Sequence, residues 1–346
     1  MKRKVKVLMT GAGAPGGPGI IKALLKEPSI ELIVCDADEM ASGRFLGIPF
    51  FKVPKAMDEK FIDSIIDICI NNAIQVVFPL VTLELFRFSS SKVQFKELGI
   101  EVIVSEESYL NIANNKRKLL DHLSTKGILV PEYRVVTSIT ELENASKDLD
   151  YPNNEVVIKP SVSNGSRGVR ILTEKISEYD LLFNEKPGNL FSNLSKIKDV
   201  LSGNYFPELI ISEYLPGDEY TIDTIVRNGQ VKIVLPRKRV KMIGGISVAG
   251  KFVKNDEIID YCIEIIESMH LEGPIGVQVK EDREGNFKIL EINPRIQGTS
   301  VAALGAGINL PVLSIFNALN TANFNLPINW NTGFVRHYEE LFYYDL

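Results

Sequence analysis

Hydrophobic residues follow two different spacings in the first third of the chain. Residues 5–10, 31–35 and 75–80 form short, nearly continuous apolar runs, which are typical of buried strands. Residues 58–71 instead repeat their apolar side chains with the period of an amphipathic helix. Because strands alternate with helices, this region is predicted to form a parallel sheet flanked by helices, ending near residue 112.

The remaining strands are predicted to pair mainly through hairpins. Residues 209–215 and 219–226 are β-rich runs, and Asn228-Gly229 predicts a tight hairpin turn after the second run. Residues 177–205 are predicted to be helical. This part of the chain is therefore predicted to differ in organisation from the first domain.

One strand ends in residues that suit a functional site. Residues 287–293 are apolar at first and become acidic and polar at the end. Since side chains alternate along a strand, Phe287, Ile289, Glu291 and Asn293 are predicted to share one face. An edge strand with a solvated end is the alternative interpretation.

A neighbouring strand adds a third oxygen ligand. If Asp282 pairs with Phe287 in a hairpin, Gln278 lies opposite Glu291, with their Cβ atoms roughly 5 Å apart. Carboxylate and amide oxygens suit Mg²⁺, and Arg295 just beyond the strand suits a phosphate. The register therefore predicts a metal site that holds phosphates.

A glycine- and serine-rich loop follows another strand. Residues 155–160 form an apolar run that ends at Lys159 and a proline, and residues 161–169 follow as the loop. Backbone N–H groups of such loops wrap phosphate oxygens, and a lysine adds a fixed cation. A hairpin loop beside a lysine that extends to solvent is the alternative.

The N-terminal glycine-rich turn matches a dinucleotide-binding fingerprint. Residues 11–19 follow the first strand, and Asp36 comes twenty residues after Gly16. An NAD(P)-dependent oxidoreductase is therefore one candidate function. A structural turn or small-anion site is favoured, because none of the eleven tyrosines has the lysine four residues later that short-chain dehydrogenases need.

The candidate positions for substrate binding are Glu84, Asp223, Arg237, Arg239, Ser247 and Arg336. Glu84 follows a strand at the carboxyl edge of the predicted sheet, where ligands bind, although an exposed acid at a helix start is the alternative. Asp223 lies on a strand whose polar residues share a face. Arg239 and Ser247 flank a Gly-Gly turn, and Arg239 is expected to bind a substrate carboxylate. A charged edge strand is the alternative for this basic segment.

Composition excludes several classes of protein. The 346 residues carry a net charge of −5, which argues against broad nucleic-acid or anionic-membrane binding. Cys35, Cys69 and Cys262 lie apart in apolar runs and are predicted to be buried free thiols of a reducing compartment. No signal peptide or membrane-spanning stretch is recognisable. A cytoplasmic protein is expected.

The motifs, taken in order, resemble the ATP-grasp superfamily. The resemblance is to one repeat of the carbamoyl-phosphate-synthase large subunit and to stand-alone ligases built like it, over residues 1–320. It rests on these segments: Asn115-Lys116, Ile158-Lys159-Pro160-Ser161 with its loop, Glu213-Tyr214-Leu215 with Glu219, Gln278, and Glu291-Ile292-Asn293-Pro294-Arg295.

The resemblance implies a combined α/β and α+β fold. Residues 1–112 would form a Rossmann-like (pre-ATP-grasp) domain that need not bind a dinucleotide. Residues 113–212 would form a linking helix and the small, lid-forming lobe of a two-lobed ATP-grasp domain, and residues 213–320 its large lobe. The aromatic tail, residues 321–346, is expected to pack on the body or on a second subunit.

The resemblance also implies roles for individual residues in binding ATP and two Mg²⁺ ions, with Mn²⁺ as an alternative metal. These are Lys116 and Lys159 as phosphate cations, Ser163, Asn164, Gly165 and Gly168 in the loop that closes over the phosphates, Glu213, Tyr214 and Leu215 at the adenine, Glu219 at the ribose, Gln278, Glu291 and Asn293 as metal ligands, and Arg295 facing the transferred phosphoryl group.

The implied activity is an ADP-forming carboxylate–amine ligase. A carboxylate would be phosphorylated to an acyl phosphate, and an amine would then displace phosphate. Phosphorylation of bicarbonate or carbamate, as in the synthase, is the close alternative. The implied partners are small-molecule substrates and a possible second copy of the chain, with neither nucleic acid nor membrane.

Overall fold

The computed structural model describes residues 4–163, 165, 167–185 and 189–343, and these residues form three sheets. Asn164 and Ser166 lie outside the described residues. Among the residues described, no helix is long and apolar enough to cross a membrane. Cys35, Cys69 and Cys262 are buried and free, as predicted.

The first sheet is parallel and has strands in the order β3-β2-β1-β4-β5. Apolar side chains alternate between its faces, so Leu8 packs against one helical layer and Val7 and Met9 against another. This is the predicted Rossmann-like domain. Its elements are β1 (Val5–Thr10), α1 (Gly17–Leu24), β2 (Ile30–Asp36), β3 (Phe50–Lys52), α2 (Phe61–Asn72), β4 (Val76–Phe78), α3 (Thr82–Ser90), α4 (Lys92–Glu97), β5 (Glu101–Val102) and α5 (Glu107–Ala113).

The second sheet belongs to the smaller lobe and has the order β6-β10-β7-β8-β9. Residues 177–205 were predicted to be helical, and this is wrong at β9, which pairs with β8 between two short helices. The elements are α6 (Lys116–Thr125), β6 (Tyr133–Val136), α7 (Ile139–Asp148), β7 (Val156–Pro160), β8 (Arg170–Leu172), α8 (Glu178–Phe183), β9 (Phe191–Ser192), α9 (Leu194–Leu201) and β10 (Leu209–Glu213).

The third sheet is antiparallel and has the order β15-β14-β11-β12-β13-β16. One face packs on α6 and α10 through Ile222, Ile265 and Val277. The other face carries polar residues, described below. The elements are β11 (Glu219–Arg227), β12 (Gln230–Ile243), β13 (Ile246–Phe252), α10 (Asp256–Glu267), β14 (Gly273–Glu281), β15 (Phe287–Asn293), α11 (Leu310–Ala318) and β16 (Gly333–Val335).

The tail packs on the rest of the chain. Its strand β16 pairs with β13 at the edge of the third sheet. Farther on, the ring of Tyr343 stacks on Phe45 of the first domain, with 4.9 Å between ring centroids. The predicted boundary between the two lobes, at residues 212 and 213, falls inside β10.

The first domain docks directly on the large lobe. A Cβ atom at Gly16, which caps α1, would lie 2.2 Å from the Cα atom of Gly298. No Cβ atom fits at that distance, so the close approach of the two backbones requires glycine at position 16. The glycine-rich turn is therefore an interdomain contact.

Candidate active site

The β14–β15 hairpin brings two predicted metal ligands opposite each other. Gln278 pairs with Glu291 as predicted, but Phe287 pairs with Glu281 and not with Asp282, so the predicted register is wrong by one residue at the turn. Nearer the turn, Val279 pairs with Ile289, so the register shifts by one residue. This shift is a β-bulge, which places one extra residue on β15.

The bulge changes which side chains share a face of β15. Phe287 and Ile289 lie in the core beside α10, whereas Glu291 lies opposite Gln278 on the other face. The prediction that Phe287, Ile289, Glu291 and Asn293 share one face is therefore wrong, because the extra residue reverses the alternation. Glu291 and Asn293 do remain together, and the amide Nδ2 of Asn293 donates to Oε1 of Glu291 at 3.1 Å.

Lys116 approaches this strand end from the start of α6. The side chain of Asn115 caps the helix by accepting from the Lys118 amide at 3.0 Å. The Lys116 amine donates to the carbonyl of Ser163 at 2.9 Å and lies 3.8 Å from Oε2 of Glu291. Lys116 thus connects the glycine-rich loop after β7, in the small lobe, to the end of β15, in the large lobe.

Lys159 is a second cation at the same place. It lies on β7 and is 6% exposed. The pKa of its amine is lowered to about 8, mainly by burial and also by the charge of Lys116, while the charge of Glu291 acts in the opposite direction. Two lysines from different elements therefore face one carboxylate, an arrangement suited to binding a polyanion.

The loop after β7 has the backbone that its glycines predict. Gly165 and Gly168 have φ values of +64° and +75°, and a Cβ atom at Gly168 would lie 2.6 Å from the Cγ atom of Pro160. Glycine is required at such a position. Ser163 contacts Lys116, as described above. The prediction for Asn164 lies outside the described residues.

The donor set fits a hard divalent cation. Glu291 supplies a carboxylate and Asn293 an amide oxygen at the end of β15, and the predicted third ligand, Gln278, lies opposite Glu291. Within the described part of the chain, no three His, Cys, Asp or Glu side chains come together as a metal site. The set therefore has one carboxylate, which suits Mg²⁺ that is also bound by phosphates.

The predicted adenine-binding segment lies where the two lobes join. The Glu213 carboxylate accepts from the amine of Lys288 and from the amide of Glu132, both at 2.7 Å. The side chain of Glu213 thus ties the two lobes together. Next to it, the Lys280 amine lies 5.0 Å from the centre of the Tyr214 ring, and Leu215 is buried.

Glu219 and Arg239 form a part-buried ion pair beside Gln278. The Nη1 atom of Arg239 donates to Oε1 of Glu219 and, at 3.2 Å, to Oε1 of Gln278. Its Nε donates to Ser247 at 3.0 Å, and its Nη2 donates to the carbonyl of Gly245 at 2.5 Å. Arg239 and Ser247 therefore lie in the site, with the guanidinium already bound by protein groups.

Asp223 is not available to a substrate. Its side chain is 3% exposed and accepts from Arg237 at 3.0 Å, from Gln297 at 3.3 Å and from Ser300 at 2.5 Å. The prediction of a substrate-binding Asp223 is therefore wrong, because the hydrogen bonds of the carboxylate stabilise the loop after β15. The alternation of side chains along β11 indicated the face on which Asp223 lies, but it gave no information about the loop that covers this face.

Arg295 contacts the start of α3, the helix that also carries Glu84. The Nε atom of Arg295 donates to Oγ1 of Thr82 at 2.9 Å. Two residues later, Glu84 is 7% exposed and accepts a hydrogen bond from the Thr10 hydroxyl. Burial raises the pKa of Glu84 to about 7. An exposed helix-start acid, the alternative for Glu84, is therefore wrong, since the side chain turns inward at the carboxyl edge of the sheet.

The dinucleotide fingerprint has a different use in this fold. The carboxylate of Asp36 accepts from the amide of Gly13 at 2.8 Å. The N-terminus of α1 is covered by Gly298. A pyrophosphate needs that helix N-terminus and a close backbone approach. The first domain thus uses the motif for a tight turn and for docking.

Sequence reasoning missed two residues that organise the site. Lys288, on β15, holds Glu213 across the lobes, and Thr82 holds Arg295 across the domains. The signal that identifies Lys288 is a lone lysine in an otherwise apolar stretch of strand. Thr82 carries no local signal, because its partner is remote in the chain.

Comparison with known protein families matches two parts of the chain. Residues 205–339 match the family described as ATP-grasp in the biosynthetic pathway with Ter operon. Residues 7–103 match the family described as PylC-like, N-terminal domain. The two matches correspond to the region of the large lobe with the tail and to the Rossmann-like domain.

Two curated relatives are carbamoyl phosphate synthase large chains. The one from Clostridium acetobutylicum is 23% identical over 226 residues, and the one from Thermomicrobium roseum is 22% identical over 228 residues. Each alignment covers 63% of this chain and 19% of the relative. The chain thus spans about a fifth of the length of these relatives.

Solved structures share the whole fold. An N5-carboxyaminoimidazole ribonucleotide synthetase in complex with ADP has a TM-score of 0.71 at 17% identity, covering 96% of this chain and 82% of that one. An L-amino acid ligase from Bacillus licheniformis has a TM-score of 0.64 at 17% identity, covering 92% and 75%. The biotin carboxylase domain of a Hydrogenobacter thermophilus 2-oxoglutarate carboxylase, crystallised with MgADP and bicarbonate, has a TM-score of 0.68 at 16% identity, covering 96% and 74%.

Proposed function

We propose that this chain, an ATP-grasp protein with a PylC-like N-terminal domain, is a ligase that splits ATP to ADP and phosphate while joining a carboxylate to an amine. The observation that carries the proposal is the convergence of Lys116 and Lys159 on Glu291. The lysines come from the small lobe and its linking helix, and the carboxylate from the large lobe. A bound triphosphate would replace the repulsion between the two lysines with attraction.

Each nucleotide contact has a proposed residue. Lys116, Lys159 and the loop with Ser163, Gly165 and Gly168 would hold the phosphates, and we keep Asn164 in that loop as a sequence-based proposal. The segment of Glu213, Tyr214 and Leu215 would hold adenine mainly through its backbone, because the Glu213 carboxylate is bound to Lys288. Glu219 would accept from the ribose.

Glu291 and Asn293 would hold Mg²⁺, which when bound neutralises phosphate charge. In the first step, a carboxylate oxygen of the substrate attacks the γ-phosphorus, the bond to the β-phosphate oxygen breaks, and ADP leaves. Arg295 would face the transferred group. Phosphoryl transfer needs mainly positioning and charge neutralisation, which buried cations supply.

In the second step, the amine attacks the acyl carbon, phosphate leaves, and the amine loses a proton. Glu84 is the proposed residue for the amine, because its carboxylate is buried at the carboxyl edge of the first sheet, next to Thr10, and a pKa of about 7 allows proton uptake. Arg239 and Ser247 are the proposed residues for the carboxylate. The acyl phosphate hydrolyses in water, so closure of the loop after β7 would protect it.

Bicarbonate is the second candidate for the phosphorylated substrate. The relatives found include carbamoyl phosphate synthases and a biotin carboxylase crystallised with bicarbonate. A site that holds a carboxylate beside arginine also accepts bicarbonate, since both present a planar pair of oxygens. The same assay therefore includes bicarbonate.

A substrate screen tests the proposal. Phosphate release from MgATP is measured with pools of carboxylic acids, amino acids and bicarbonate, each with and without amines, and Glu291→Gln serves as the inactive control. ADP and phosphate that form only when a carboxylate and an amine are both present would support the ligase. AMP and pyrophosphate as products would contradict it.

A further inference from the structure

A neutral glutamine already occupied by an arginine lies at the predicted second metal position. Oε1 of Gln278 accepts from Nη1 of Arg239 at 3.2 Å. A metal ion on that oxygen would sit about 2.1 Å away. The ion and the guanidinium would then share one oxygen and repel each other.

The side chain of Arg239 is fixed in its position next to Gln278 by burial and by several hydrogen bonds. Its side chain is 5% exposed. Besides Gln278, it contacts Glu219, Ser247 and the carbonyl of Gly245. A planar guanidinium with donors used on three nitrogens is fixed in direction as well as in place. Moving it aside for a metal would break its ion pair with the part-buried Glu219.

The charges around the hairpin support the same conclusion. Five cationic side chains, Lys116, Lys159, Arg239, Lys280 and Arg295, lie around two carboxylates, Glu219 and Glu291. The protein itself therefore supplies part of the positive charge that a second divalent cation would bring to a triphosphate.

We propose that Arg239 takes the place of a second metal ion, so that the chain binds its nucleotide with a single divalent cation held by Glu291 and Asn293. This inference rests on the proposed function, because it assumes that a nucleotide binds here. Gln278 then acts as the acceptor that orients Arg239. The guanidinium supplies, from the protein, a positive charge beside the phosphates.

Counting bound metal tests the inference without using activity. Mn²⁺ is titrated into the full chain with one equivalent of non-hydrolysable ATP analogue, so that little unbound nucleotide chelates the metal, and free Mn²⁺ is followed by electron paramagnetic resonance. We expect one Mn²⁺ per chain in the wild type. Two Mn²⁺ per wild-type chain would overturn the inference while leaving the proposed function intact.

Two substitutions distinguish charge from folding. Arg239→Met removes the charge and keeps most of the length, and it is expected to admit a second Mn²⁺. Arg239→Lys keeps the charge and is expected to stay at one. A count of one in Arg239→Met would contradict a role for the arginine charge. Absence of nucleotide-dependent Mn²⁺ binding in the wild type would overturn the proposed function, and this inference with it.

Discussion

The amine of Lys116 lies 3.8 Å from Oε2 of Glu291, although one residue begins a helix and the other ends a strand far along the chain. The contact joins the linking helix to the large lobe. Lys159 adds a second amine, whose charge is felt by both residues. The nucleotide site is inferred from this arrangement, in which the carboxylate of Glu291 lies near two lysine amines and next to the side-chain amide of Asn293.

Replacement of Glu291 by glutamine should abolish most of the activity. The change removes the carboxylate that would hold Mg²⁺ and leaves the two lysines facing each other. We expect turnover to fall by roughly 10²–10³, the usual loss for one electrostatic contact at a transition state. Steady-state phosphate release measures it. Glu97→Gln, at the exposed end of α4, is the matched control and should keep wild-type turnover.

Nucleotide binding should weaken as the pH rises past the pKa of Lys159. Burial lowers that pKa to about 8, so the amine is charged at lower pH and neutral above it. Calorimetric titration with MgADP between about pH 7 and about pH 9 should show affinity falling with pH. In Lys159→Met the affinity should be weaker throughout and its pH slope smaller. Equal slopes in the two proteins would contradict a role for this amine.

Glu84→Gln should raise stability at alkaline pH. The pKa of Glu84 is raised from 4.5 to about 7, so the folded chain holds a proton that the unfolded chain has lost. Stability is therefore lost as pH rises through this window, by roughly 3 kcal/mol at about 1.4 kcal/mol per pKa unit. Thermal unfolding of both proteins across this pH range measures the effect. A wild-type protein that gains stability over the window would contradict it.

The same substitution should impair the use of the amine substrate. If Glu84 holds the acceptor, Glu84→Gln raises the KM for the amine while the KM for ATP stays unchanged. A stabilising substitution that damages function is typical of a residue kept for its chemistry. If the Glu84→Gln variant is more stable and keeps the wild-type KM for the amine, Glu84 does not bind the amine.

Asp223→Asn should destabilise the fold strongly. It removes the charge partner of fully buried Arg237, and breaking such a pair costs about 3–5 kcal/mol. Urea unfolding measures the difference. The neighbouring pair of Lys238 and Asp218 is half exposed, so Asp218→Asn is the control and should cost no more than about 1 kcal/mol. Equal losses at both positions would contradict this account of Asp223.

The sequence was sufficient where local rules decide the structure. Strand–helix alternation predicted the Rossmann-like domain, and turn chemistry located the β14–β15 hairpin, although Gln278 faces Glu291 only because the bulge offsets a one-residue error in the predicted register at the turn. The sequence failed where remote parts of the chain decide. The bulge in β15 reversed the face of Phe287, and the loop that covers Asp223 gave no local signal. The inward turn of Glu84 likewise depends on Thr10, which lies in another strand.

Transfer of a heavy-oxygen label tests the central claim most directly. A carboxylate substrate found in the screen is labelled with heavy oxygen and incubated with MgATP and the amine, and the inorganic phosphate is examined by phosphorus NMR. An acyl phosphate intermediate predicts that one labelled oxygen passes from the carboxylate into phosphate. Phosphate without label, formed together with the coupled product, would contradict an ADP-forming ligase that activates its carboxylate by phosphorylation.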